Sequence, residues 1–187
     1  MKIITIILLF VITTLAQTKD SLFAVIIEIA NLTSDEVHAI PIGNDEFTDV
    51  IGHQTEWMDL DINFGELLEA KMQYCLVFNN DTKSFAFYFA YTGRDWSQLE
   101  RVIFKFQDIS TIKPLNIGKR KILAVGTKLR QYFSTDWFGL SDFLYQFITT
   151  GSVMINFTGL KWNLTTNIIP QTDKILLAKF YLKMMEL

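Results

Sequence analysis

The chain has 187 residues, half of them hydrophobic, with sixteen phenylalanines, one cysteine and a formal charge of −3. That length suits a single domain with a sizeable core. The mild acidity gives no electrostatic drive towards nucleic acid, and a lone cysteine excludes an intramolecular disulfide.

At the start, MKIITIILLFVITTLA places Lys2 ahead of an apolar run from Ile3 to Val11 and closes on Thr14-Leu15-Ala16, an ending a signal peptidase accepts. The run is too short to span a bilayer. The expectation is a signal peptide over 1–16, cleavage before Gln17, and one exported β-rich domain over 17–187 with no membrane span in the mature chain. Ser21 to Ile29 then sets Phe23, Val25, Ile27 and Ile29 against Leu22, Ala24, Ile26 and Glu28, which predicts a strand.

Asp59-Leu60-Asp61-Ile62-Asn63 opens like a calcium loop of the EF-hand type. The match then fails, because Phe64 stands where that loop needs glycine and Ala70 where a bidentate glutamate would close it. The stretch therefore predicts a strand edge or loop with solvated carboxylates and no metal, leading into a short helix over 64–71.

Met72 to Phe78 and Ser84 to Tyr91 both alternate, around the turn-rich Asn79-Asn80-Asp81-Thr82-Lys83, and predict a hairpin. Cys75 within it reads as a buried thiol behaving as a small hydrophobe. The second arm carries Phe85, Phe87, Phe89 and Tyr91 on one face and Ala86, Tyr88 and Ala90 on the other. A strand apolar on both faces is central, covered, or lines a cavity or a partner surface.

Asp95-Trp96-Ser97-Gln98 resembles a capping box, and Arg101 to Gln107 alternates as a half-exposed strand. Lys119-Arg120-Lys121 reads as a solvated turn or strand start, and Lys121 to Val125 as a short strand. Ser141 to Ile148 has an N-cap serine and helical spacing, with Gly151 as a stop. Ser152 to Phe157 and Leu160 to Leu164 form a second hairpin around Thr158-Gly159, with Val153, Ile155, Phe157, Leu160, Trp162 and Leu164 inward and Asn156, Lys161 and Asn163 towards solvent. Lys174 to Met184 alternates Leu176, Ala178, Phe180, Leu182 and Met184, which favours a strand, although Leu176, Leu177 and Phe180 also suit a helix. Together these predict an antiparallel β-sandwich or flattened barrel of about seven to nine strands with two or three short helices.

Four sequons occur, at Asn31, Asn80, Asn156 and Asn163, and mark expected N-glycosylation in the secretory pathway. No nucleophile elbow or phosphate loop is present. His38 reads as a partly buried structural histidine and His53 as exposed, with no third ligand for a metal; no cofactor is implied. Trp57, Trp96, Trp137 and Trp162 are available to stack sugars where exposed. The function expected is non-enzymatic recognition or assembly outside the cell, with a protein or glycan partner. The alternatives are a carrier of a small apolar ligand and, behind it, a glycan-directed hydrolase using pairs such as Asp59 with Glu66 or Glu56 with Asp61.

Overall fold

A computed structural model describes residues 23–43, 50–62, 70–93, 98–107, 109–116, 123–125, 128–139, 143–160 and 163–186. A helix over residues 23–30 (α1) leads into β1 (Ile40–Ile42), β2 (Gly52–Gln54), β3 (Met58–Leu60), β4 (Lys71–Asn79), β5 (Ser84–Gly93), β6 (Leu99–Phe106), β7 (Ile109–Asn116), β8 (Leu123–Val125) and β9 (Lys128–Thr135). Helix α2 (Phe143–Thr149), β10 (Val153–Gly159), β11 (Asn163–Thr165) and helix α3 (Gln171–Met185) complete the chain. The fold is mainly antiparallel β with three helices. The described residues form eleven strands, more than alternation predicts, because β1, β2, β3, β8 and β11 are three residues each.

The main path runs β1-β2-β4-β5-β9-β7-β6-β10-β11, with β3 beside β4 and β8 beside β9. Two features bend it into a flattened barrel. Strand β7 gives residues 109–114 to β6 but only Leu115 and Asn116 to β9, so the sheet splays there into two faces. At the far end Ile62, just past β3, bridges Thr166, just past β11, and the Asn167 amide donates to the Asp61 carbonyl at 2.9 Å. That contact returns the sheet to its own start. Where strands part, buried threonines supply the missing acceptors. Thr55 Oγ1 takes the Leu76 amide at 3.1 Å, Thr135 Oγ1 that of Phe87 at 3.1 Å, and Thr166 Oγ1 that of Ile155 at 2.8 Å.

The predicted hairpin is β4–β5, in register from Lys71↔Thr92 to Asn79↔Ser84. It turns because Asn79 Oδ1 accepts the amides of Asp81 (2.8 Å) and Thr82 (3.1 Å), with Lys83 at φ 50°. Inward alternation then builds the core. Met72, Tyr74, Leu76, Phe78, Phe85, Phe87, Phe89, Val102, Phe104, Val153, Ile155 and Phe157 are all fully buried. Helix α2 presses Phe143 and Phe147 onto them, with ring centroids 4.7 Å from Phe104 and 4.9 Å from Phe87 respectively. Helix α3 adds Leu177, Ala178, Phe180, Tyr181 and Met184; Tyr181 lies 5.9 Å from Phe85.

Several expectations are corrected. Residues 23–30 and 171–185 are helices, not strands. In α3 the buried positions Lys174, Ile175, Leu177, Ala178, Phe180, Tyr181 and Met184 fall on one broad helical face, with Lys179 and Lys183 on the opposite, i,i+4 row. Pro170 at its start and Asp173 in its first turn are helix-opening signals that the alternation masked. In α1, Ile26 and Ala30 are buried and Phe23 meets Tyr181 edge-on at 6.4 Å; docking on α3 overrides the strand preference of its isoleucines. Strands β7 and β9 carry little periodic signal, and Pro114 breaks the reading of β7. It lies where that strand is paired with β6 alone, a place a residue without an N–H tolerates. Strand β10 continues through Gly159, past the turn expected at Thr158-Gly159, so Leu160, expected to face inward, falls in the connection to β11 and is exposed. The helix expected over 64–71, the capping box and the basic cluster fall largely outside the described residues, and Lys71 opens β4.

Candidate recognition surface

The carboxylates of the calcium-like stretch are engaged in structure. Asp59 pairs with Lys71 at 2.9 Å and accepts from Gln73 at 2.8 Å, and the Lys71 hydrogen bond holds its carboxyl below the ordinary value. Asp61 Oδ2 accepts from Asn167 at 2.6 Å. Among the described residues no three metal-ligating side chains converge, and Glu66 lies outside them. Asp173 is the described carboxyl whose pKa is raised, by burial; it accepts from the Tyr74 hydroxyl at 2.9 Å, and no facing carboxylate accompanies it in the described residues.

The histidines exchange the roles expected of them. His38 is exposed, because the extended stretch after α1 alternates along α3 and turns Val37 and Ala39 towards the protein instead. His53 is half-buried in β2 between Pro41 and Phe78, and its Nδ1 is buried without a hydrogen-bond partner. Cys75 is fully buried, and burial pushes its thiol far above the ordinary range. Burial disfavours the thiolate and keeps the sulfur from reagents and partners, which argues against a nucleophile and against an intermolecular disulfide. Incubation of the folded protein with a thiol reagent is expected to leave Cys75 unmodified until denaturant is added; labelling at the native rate of a free thiol would contradict its burial.

The doubly apolar strand β5 is covered on both sides. Its inner rings face the helices, while Ala86 and Ala90 share the outer face with Cys75 and Val77, all four no more than 1 % exposed. Four larger rings roof these small side chains. Trp57, just before β3, reaches Tyr132 on β9 at 6.1 Å, and Tyr88 on β5 meets Trp137 at 6.3 Å. The Arg130 guanidinium stacks over Tyr132 at 5.2 Å. Trp57, Tyr88 and Tyr132 are half-buried, and Trp137 is 39 % exposed. The result is two aromatic pairs on the outside of the β4–β5–β9 sheet, with Trp137 the most exposed of the four rings. Trp96 and Trp162 lie outside the described residues.

A scan against protein-family models, a search of curated proteins and a search of solved structures each found no match.

The sequons occupy different settings. Asn31 and Asn163 are exposed, and Asn80 is half-buried at the β4–β5 tip. Asn156 lies on the outward side of β10, as its alternation requires, yet is only 8 % exposed. It is paired on both sides, with Ile103 on β6 and Thr165 on β11 as its ladder partners, and its Oδ1 is buried without a hydrogen-bond partner. A buried acceptor without a donor costs about 1–3 kcal/mol. Asn156→Val, which removes that acceptor and favours a strand, is expected to raise stability by about 1 kcal/mol, read as a shift in denaturant midpoint; a loss of stability would show that the amide is satisfied.

A groove of about 190 Å³ lies between α3 and the stretch after α1, lined by Thr33, Val37, Ile175, Leu176 and Lys179 among others. Two lysines close it. Lys179 Nζ donates to the carbonyls of Thr33 (2.9 Å) and Asp35, and Lys183 Nζ to that of Val37 at 3.2 Å.

Proposed function

We propose that this is an exported protein that acts without catalysis, recognising an extracellular protein or glycan through the aromatic face of Trp57, Tyr88, Tyr132 and Trp137. The observation that carries the reading is Trp137, a large ring 39 % exposed above a sheet face whose other aromatics are tucked against small side chains. Tryptophan, tyrosine and arginine are the residues that dominate binding energy at recognition surfaces. Export is supported by the leader-like 1–16 segment, and N-glycosylation by the sequons at Asn31, Asn80 and Asn163.

The carrier reading is weaker. Ligand cavities run to about 300–1,000 Å³, and the α3 groove, at about 190 Å³, falls short. Between β5, β6 and α2 the interior is occupied by rings packed centroid to centroid at 4.7 to 6.5 Å. The hydrolase reading lacks a facing carboxylate pair among the described residues.

The test is binding of the secreted protein to glycan arrays and to displayed extracellular proteins, repeated with Trp137→Ala. Loss of a central aromatic anchor costs about 2 kcal/mol or more, so the variant is expected to bind at least tenfold more weakly with an unchanged circular-dichroism spectrum. Undiminished binding by Trp137→Ala and Tyr132→Ala would place recognition elsewhere.

A further inference from the structure

The sequons differ most within one hairpin. Asn156 sits in mid-strand, flanked on both sides by β6 and β11, at 8 % exposure. Asn163 opens β11, lies opposite Thr158, and is exposed. Glycosylation joins the side-chain amide nitrogen to the anomeric carbon of a lipid-pyrophosphate-linked oligosaccharide. The new C–N bond replaces the anomeric C–O bond, the amide loses one proton, and the lipid pyrophosphate leaves. The first sugar ring must then stand one bond from that nitrogen.

At Asn163 solvent is available for such a ring. At Asn156 the backbone is paired on both sides, with Ile103 on β6 and Thr165 on β11 as its ladder partners, the residue is 8 % exposed, and its side-chain oxygen is sealed from water. A residue so little exposed between two paired strands offers a first sugar ring far less room than Asn163 does. We propose that Asn163 carries the glycan of this hairpin and that Asn156, despite its intact Asn-Phe-Thr motif, remains an unmodified structural amide in the folded protein. The assignment rests on the reading that the chain is exported.

The experiment expresses the full chain in a eukaryotic secretory host, collects the folded protein from the medium, and releases glycans with peptide N-glycosidase in ¹⁸O-water, which converts each occupied asparagine to labelled aspartate. Label is expected at Asn163 and none at Asn156. Asn163→Gln is expected to lose the mass of one glycan. Thr158→Ala, which destroys the Asn156 motif while leaving that residue in place, is expected to lose none. Label at Asn156 in folded protein, or its absence at Asn163 while Asn31 or Asn80 is labelled, overturns the assignment alone. A chain that keeps residues 1–16 and carries no glycan at any of the four positions overturns the export reading, and the assignment with it.

Discussion

Phe87→Ala is expected to remove about 3–5 kcal/mol of folding stability. The ring is fully buried and lies 4.9 to 6.3 Å, centroid to centroid, from Tyr74, Phe89, Phe104, Phe138, Phe143 and Phe147. Three of these partners, Phe138, Phe143 and Phe147, come from α2 and the segment before it. Truncation therefore undercuts the docking of α2 as well as leaving a cavity. A domain of this kind holds only about 5–15 kcal/mol in total, so the variant is expected to unfold at a much lower denaturant concentration. Phe87→Leu keeps most of the volume and is expected to cost less than half as much. Equal, small losses for both would mean that the rings repack freely around the gap.

The second large effect is expected at Lys174. Its side chain is 1 % exposed and its Nζ donates to the carbonyls of Thr150 (2.6 Å) and Gly151 (3.0 Å), just beyond the last turn of α2. A cation there meets both the unpaired carbonyls and the negative end of the helix dipole. Lys174→Ala loses these bonds and the packed stem, for an expected cost of about 3 kcal/mol. Lys174→Met keeps the stem and is expected to lose about half of that, because relief of the buried charge offsets part of the lost bonding.

The pH dependence separates the two contributions. Burial lowers the Lys174 pKa in the folded protein. Between that lowered value and the ordinary lysine value the unfolded chain binds a proton the folded one does not, so the Lys174 contribution to stability rises with pH across that window. The stability of the parent protein relative to Lys174→Met should therefore increase on the alkaline side, by chemical denaturation at a series of pH values. Tyr74 and Cys75 act in the opposite sense: burial raises both, so they withdraw stability as pH climbs past their unfolded values. Comparing parent with variant cancels these two, and a flat or falling difference would show that Lys174 stays charged at no cost.

Local chemistry was enough for the parts of this protein that repeat every second residue on one buried face. The β4–β5 hairpin, the outward phase of Asn156 and Asn163, helix α2 and the antiparallel β class all follow from patterns spanning fewer than twenty residues. The runs at 23–30 and 171–185 resisted that reading because apolar residues fill them almost continuously, and a filled run has no period to distinguish strand from helix. Docking settled both: α3 buries one helical stripe on the sheet, and α1 packs on α3 through Phe23 and Tyr181.

The candidate surface was legible only in fragments. Trp57, Trp137 and the doubly apolar 85–91 strand stand out as single features, but nothing near Trp57 announces that Tyr132 will lie 6.1 Å away. Barrel closure at Ile62 and Thr166, the crowding of Asn156 and the aromatic roof over Cys75 and Ala90 all depend on strands distant in sequence pairing in one register. Side-chain alternation states which way a residue points; what stands opposite it is decided by long-range pairing, and that pairing is where burial and exposure are finally set.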